Sequence, residues 1–351
     1  MTRAAFALLA AATLYAQPRL QNARLETRAV SGSLESTFRA IVNAQSGPAW
    51  IAYAAPLIPG EHNMCCWNSN VQCPGCTLEP QTNPVNFPPN PNATVRLEGA
   101  SEFFVFCRVE NKQVDKIRSF SVDCAVDAGG LPFYWLTGAN PAQSISLLES
   151  LIPTSETRTE RRLVNGAISA IALHRDPAAD ATLDRLLAST RPEETRRQAA
   201  FWLGNARGRH GYESLLRVLR DDPSDRVREH AVFALTQSKE PEAVTVIARV
   251  ARDDKSIRVR GQALFWLAQR AGRQISEEAI RNAIDQDPET EVKKKAVFAL
   301  TQIPNGDGVP LLIDVARNNR NAVVRKQAMF WLGQSKDPRA IKFFEDVLAT
   351  R

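Results

Sequence analysis

Histidine is scarce in this 351-residue chain: only His62, His174, His210 and His230 occur. None stands at motif spacing from a nucleophile and an acid, so the sequence offers no Ser/His/Asp or Cys/His arrangement. His174 and His210 are expected in or beside loops between helices, and His230 on a solvated helix face. A phosphate-binding loop is also missing, because Gly129-Gly130 lacks both the glycine spacing and the following Lys-Ser/Thr; a tight turn is expected there. No apolar run after the N-terminus approaches the ~20 residues of a membrane-spanning helix. Cysteine is absent beyond residue 124.

What is present begins with an export signal. Arg3 precedes an almost purely apolar run from Ala4 to Leu14, and Ala16 stands before Gln17-Pro18. The run is too short to span a bilayer and fits a secretory signal peptide over residues 1–16, with a periplasmic or secreted product. No cysteine lies there to take a lipid anchor.

The six cysteines agree with an oxidising compartment. Cys65, Cys66, Cys73, Cys76, Cys107 and Cys124 all fall in the N-terminal region before residue 125, an even number with up to three disulfides and pairing left open. Cys73-Pro-Gly-Cys76 is a lone C-x-x-C, and the adjacent Cys65-Cys66 makes an awkward zinc knuckle. Structural disulfides are the leading expectation; a metal or thiol-redox role for this cluster is the alternative. No metal or other cofactor is assigned.

Residues 17–153 read as a small α+β region. A short helix is expected at Phe38–Ala44 and another at Ala142–Leu151. Strands are expected at Ala49–Tyr53, Val95–Glu98, Phe103–Val109 and Val114–Cys124, the last two joined by a turn at Asn111-Lys112. One antiparallel sheet follows from that pattern.

From about Glu160 the sequence repeats. The clearest copies are RRQAAFWLGN from Arg196, REHAVFALTQ from Arg228, RGQALFWLAQ from Arg260, KKKAVFALTQ from Lys293 and RKQAMFWLGQ from Arg325. Their alanines, Ala199, Ala231, Ala263, Ala296 and Ala328, are 32, 32, 33 and 32 residues apart, and a weaker copy places Ala167 a further 32 upstream. Six units of near-constant length are the signature of a solenoid. Each reads as helix, short loop, helix, giving a solenoid over residues 154–351. The alternation of Phe-Trp-Leu with Phe-Ala-Leu points to duplication of a two-repeat unit, with large and small side chains interdigitating between layers.

A polar pattern accompanies the repeat. Asp222, Asp254 and Asp287 each precede the cation Arg228, Arg260 or Lys293 by six residues, while Asn319 before Arg325 and Thr190 before Arg196 keep the spacing without the acid. With these features the segment from about 155 to 351 resembles the HEAT-repeat family, including its bacterial PBS-lyase-like branch. The resemblance implies a ladder of turn acids and helix cations that staples neighbouring units. Relatives in that branch attach bilin chromophores, an activity that export and the added Cys-rich region argue against.

Residues 154–351 hold 34 Lys+Arg against 27 Asp+Glu, so the basic excess belongs to the repeats. Arg217, Arg249 and Arg281 recur on the second helices, and Arg220, Arg252 and Arg317 form another row interrupted by Asp285. The resemblance implies that second helices line the concave side, where these rows would meet an acidic protein or another anionic polymer. Nucleic acid is disfavoured by export and by the lack of aromatics interleaved with the rows. The expected function is that of a non-catalytic exported binding scaffold; an enzyme or sensor in the Cys-rich region, with the solenoid as docking arm, is the rival.

Overall fold

A computed structural model describes residues 17–60, 62, 64–66, 75–80, 87, 100–154, 160–270 and 273–349. The signal-peptide reading, Cys73 and the strand expected at Val95–Glu98 lie outside the described residues. Two compact units emerge: residues 1–153 with 157–179, and 154–156 with 180–351.

In the first unit a five-stranded sheet has the order β2 (Arg24–Ala29), β8 (Pro132–Thr137), β3 (Ala49–Pro56), β5 (Glu102–Glu110), β6 (Gln113–Ser121). β8 runs parallel to both β2 and β3, whereas β3, β5 and β6 are antiparallel. The sheet is therefore mixed, which corrects the single antiparallel sheet expected. β2, with sequence RLETRA, lies mostly exposed at an edge and lacks the apolar alternation that would have betrayed it. A second, parallel sheet of three short strands has β7 (Ala125–Asp127) between β1 (Arg19–Gln21) and β4 (Gly75–Thr77). Asn111 and Lys112 both take positive φ between β5 and β6, as the twist of a tight hairpin requires.

Side chains alternate between two cores. Trp50, Ala52, Phe104, Phe106 and Phe133 pack with Cys76, Leu78 and Val126. Tyr53 and Phe103, one residue out of phase, turn to the opposite face, where they meet Ser144 and His174. That face receives α2 (Pro141–Ser150) and α3 (Arg161–Leu173), while α1 (Leu34–Ala44) lies against α2. Gly166 permits the approach of α3 to the sheet, since a Cβ there would sit 2.4 Å from the Ile117 carbonyl oxygen of β6. The helix carrying Ala167 of the weakest repeat copy is thus part of the first unit's core.

The second unit is a run of helix pairs. First helices are α5 (Glu193–Ala206), α7 (Asp225–Leu235), α9 (Ile257–Arg270), α11 (Thr290–Leu300) and α13 (Ala322–Gln334). Second helices are α6 (Gly208–Asp221), α8 (Ala243–Asp253), α10 (Arg273–Gln286), α12 (Val309–Asn318) and α14 (Pro338–Ala349); α4 (Ala178–Leu186) precedes them. Successive first helices pack directly on one another, and the repeat alanines Ala199, Ala231, Ala263, Ala296 and Ala328 are fully buried between them. This is an α-solenoid, as the 32-residue period requires.

Candidate functional site

The charged ladder is the first device on the solenoid to consider. Arg196 pairs with Asp222, Arg228 with Asp254 and Arg260 with Asp287, at 2.9, 3.0 and 2.8 Å, with both partners buried in each case. Each cation therefore reaches forward to the acid of the next turn, 26 or 27 residues on, rather than to the acid six residues before it. The residue six positions before contributes its backbone: Arg228 donates to the Asp222 carbonyl, Arg260 to that of Asp254 and Arg325 to that of Asn319. Each acid also accepts the N–H of the residue two positions on, at Ser224, Ser256 and Glu289. This Asx-type turn starts the following helix. The forward direction explains why Thr190 costs Arg196 nothing, and why neutral Asn319 leaves Lys293, among the described residues, with the Asp285 carbonyl and no acid. The ladder is consumed in joining repeats.

Five of the six arginines in the expected binding rows already face a carboxylate of this chain. Arg217 meets Asp184 at 2.9 Å, Arg281 Asp314 at 3.7 Å and Arg317 Asp346 at 3.5 Å. Arg220 and Arg252 each hold the next residue, Asp221 and Asp253, through two hydrogen bonds. Those contacts hold both carboxyls below the usual carboxylate range. Only Arg249 has no ion pair among the described residues; with Arg252 it lines a groove of about 750 Å³ beside α8 and α10. These rows present mixed charge to solvent.

The first helices carry a surface of another kind. Phe201, Phe233, Phe265, Phe298 and Phe330 occupy the same position in five repeats, and none is buried. Phe201 and Phe233 lie parallel at 6.0 Å between centroids, as do Phe265 and Phe298 at 6.2 Å. Trp266 bridges the two pairs, 4.9 Å from Phe233 and 5.0 Å from Phe265, and Trp331 joins Phe298 to Phe330 at 5.0 Å on each side. With Trp202 beside Phe201, eight rings form an unbroken ribbon across five repeats. Trp266 and Trp331 also pack against the buried core that contains Ala234 and Ala299. Trp fills the space between neighbouring Phe rings. Gly204 permits the close approach of the next repeat, since a Cβ there would lie 2.3 Å from the Ala234 carbonyl oxygen.

Polar rows flank the ribbon. Four residues beyond each Phe stands an amide, Asn205, Gln237, Gln269, Gln302 or Gln334; Gln237 and Gln302 lie just past the ends of α7 and α11, where each donates to the preceding Thr hydroxyl. On the other side a pocket of about 490 Å³ is lined by Phe233 and Trp266 together with Arg197, Arg226, Arg258, Glu229, His230 and Gln262. His230 is therefore a pocket residue and partly buried, not simply a solvated one. Burial, reinforced by the Arg197 charge, pushes its pKa below the ordinary value.

In the first unit Cys65 is bonded to Cys124 and Cys66 to Cys76. Cys107 corrects the expectation that it takes part in a disulfide. It is a free thiol on β5, fully buried opposite Ile51, and burial pushes its pKa up to about 12. His174 stands at the C-cap of α3, beside the loop that leads to α4, as expected. It is fully buried and joins Tyr53 and Ser144 in a hydrogen-bonded chain: the Tyr53 hydroxyl lies 2.8 Å from Ser144 Oγ, which lies 2.9 Å from His174 Nε2. Nδ1 lies 2.7 Å from the Ala170 carbonyl oxygen, to which it donates. The trio resembles a nucleophile–base pair only in composition. All three side chains are sealed from solvent, so the trio's role is to satisfy polar groups within the core. No sequence motif announces it, because the three residues come from separate elements.

Comparison with known families places the repeats. The HEAT-repeat family model matches residues 179–268 and 277–351. These residues are HEAT repeats. No curated protein matches the chain. Human deoxyhypusine hydroxylase, solved in complex with glycerol, is similar at 16% identity and TM-score 0.25, covering 58% of this chain and 77% of its own. The CpcE–CpcF complex of phycocyanin lyase from Nostoc sp. PCC7120 is similar at 19% identity and TM-score 0.32, covering 54% and 76%. Likeness at this level carries no argument about activity. The HEAT repeats form a helical scaffold, and among the described residues no helix is long and apolar enough to cross a membrane.

Proposed function

We propose that this is an exported, non-catalytic scaffold whose HEAT repeats hold a protein partner on the face of the first helices. The aromatic ribbon carries this reading. Aromatic side chains left partly exposed in a continuous row are costly in water and are the residue types that anchor protein interfaces. The arginine rows support it less, because carboxylates of the same chain already meet most of them. Export is supported by the N-terminal apolar run and by the two disulfides, which persist in oxidising compartments. The rival reading, a metal or redox centre at the cysteines, is weakened because four of the six sulfurs are bonded to each other.

Capture from a native envelope extract tests the proposal. Wild type is compared with a Phe233→Ser/Phe298→Ser variant and with an Arg217→Gln/Arg281→Gln variant, each shown by circular dichroism to be folded. The ribbon variant is expected to lose the partner and the arginine variant to keep it. The opposite pattern would return the binding site to the second helices.

A further inference from the structure

We propose that the Cys66–Cys76 bond is a thiol–disulfide exchange site that takes electrons from a dithiol, while Cys65–Cys124 is a structural cross-link. The proposal concerns the first unit and does not rest on the reading of the HEAT repeats. Bonding between the sulfurs removes them as metal ligands and leaves exchange as the chemistry open to them.

Arg118 carries the inference. From β6 it points at both sulfurs of one bond, with Nη2 3.0 Å from Cys66 Sγ and 3.3 Å from Cys76 Sγ. The guanidinium also lies over the Phe120 ring, 5.2 Å from its centroid. No carboxylate meets it among the described residues, and burial pulls its pKa below the ordinary value. Arg108, on the neighbouring strand β5, is by contrast met by Glu79, Glu110 and Asp115. A buried cation is costly unless an anion accompanies it. A disulfide carries no charge and accepts weakly, whereas the thiolates made by reduction are anions that a nearby arginine stabilises. Arg118 is therefore complementary to the reduced state of the bond.

The second bond is an internal control. Cys76 and Cys124 are buried in the same core, and each sulfur lies near the carbonyl oxygen of the following residue, at 3.8 and 3.7 Å. Cys65 and Cys66 are adjacent and both partly exposed. The guanidinium is what distinguishes the two bonds. Other charges nearby leave its effect standing. Lys116, two residues along β6, donates to the Leu78 carbonyl and adds positive charge; burial and the Arg118 charge lower its pKa. Glu79 is held by Arg108 and Trp50, and Asp127 on β7 by Asn22 and the Gly129 N–H.

Accessibility sets the direction of exchange. Cys66 is partly exposed and Cys76 is sealed, so an incoming thiolate reaches Cys66 Sγ. Its electron pair forms the new S–S bond, the Cys66–Cys76 bond breaks, and that pair stays on Cys76 Sγ beside Arg118. A leaving thiol of lower pKa leaves faster. The second thiolate of the dithiol then attacks the reductant's own sulfur in the mixed disulfide and releases Cys66 as a thiolate. The dithiol departs as a disulfide, oxidised by two electrons, and its two protons pass through solvent to the two cysteines.

The test equilibrates the full chain in mixtures of reduced and oxidised dithiothreitol, followed by acid quenching, maleimide labelling and mass spectrometry of the cysteine peptides. Cys66 and Cys76 are expected to label in mixtures that leave Cys65 and Cys124 bonded. Simultaneous reduction of both bonds, or earlier loss of Cys65–Cys124, would overturn the proposal. At pH 9, above the ordinary thiol pKa of about 8.5, Arg118→Gln should need a dithiothreitol ratio about tenfold more reducing, the equivalent of one pKa unit of thiolate stabilisation. At pH 6 the thiols are neutral and the two proteins should coincide. Arg118→Lys keeps the charge and should recover most of the pH 9 shift. If Arg118→Gln matched wild type at pH 9, or differed from it equally at both pH values, Arg118 would act through packing alone and the proposal would fall. Circular dichroism checks that the oxidised variants fold; if Arg118→Gln does not, the order of reduction in the wild type decides.

Discussion

At the scale of single residues the solenoid's ion pairs and the sheet's free thiol make opposite demands on their surroundings. Arg228 is almost entirely buried, and its charge is tolerable only because Asp254, Asp225 and the Asp222 carbonyl all receive its N–H groups. Truncating one partner of such a pair leaves the other charge buried alone, which typically costs ~3–5 kcal/mol. Arg228→Ala or Asp254→Ala is therefore expected to shift the urea midpoint sharply. The double change Arg228→Met/Asp254→Leu should recover most of the loss; a double variant as unstable as the singles would show that the pair also fixes the turn. Cys107 needs no partner, because its pKa, raised to about 12, keeps it a neutral thiol. It should resist iodoacetamide at pH 8 in the native protein and react on unfolding, as mass spectrometry of the labelled peptide would show. Rapid native labelling would mean that β5 is not the buried inner strand between β3 and β6.

At the scale of elements, the sequence was a good guide to which segments are helices and a poor one to what each helix face meets. The alanines spaced by the repeat period fall on the buried seam, and α7 spans the segment whose periodicity marks it as a helix. The Phe beside each alanine widens the same apolar stripe, so periodicity alone assigns it to the core. In the structure it turns outward to its neighbours' rings. Apolar spacing shows that a face avoids water without showing what covers it. The direction of the ladder was illegible for a related reason: a spacing of six within one copy stands out in the sequence, whereas the true partner lies one repeat away. Phe265→Ala is accordingly expected to cost about 2 kcal/mol, short of the ~3–5 kcal/mol of a fully buried ring. Ala231→Asp, which places a carboxylate on the sealed seam, should unfold part of the array. Equal melting shifts for the two would contradict the assignment of their faces. His230 supplies a pH signature of the pocket. Its pKa is depressed in the fold, so the unfolded chain binds the proton more readily as pH falls. Its contribution is complete above the ordinary value near 6.5 and is lost as pH falls through the folded value. His230→Gln, the residue found in three other copies, should flatten that acid-side loss in urea midpoints measured between pH 7.5 and 5. An unchanged slope would mean that His230 is solvated after all.

At the scale of the whole molecule, the two units rest on different kinds of cross-link. Every cysteine precedes residue 125, and the two bonds tie Cys65 and Cys66 to positions 59 and 10 residues away. Closing such loops stabilises mainly by restricting the unfolded chain, typically by ~2–4 kcal/mol. The HEAT repeats have no covalent tie and depend on nearest-neighbour contacts, each repeat burying its seam against the next, so their stability approximates a sum over local interfaces. A reducing agent therefore acts on the first unit alone. Hydrogen exchange with and without a phosphine reductant should show faster exchange in β3, β5 and β6, whose core contains Cys76 and Cys124. The first helices α7, α9 and α11 should keep their protection. α3 is the discriminating element, because its sequence belongs to the repeat series while its packing belongs to the sheet. Loss of α3 protection together with β6 would place the folding boundary after it; protection of α3 with the repeats would place the boundary near residue 154, where the composition changes.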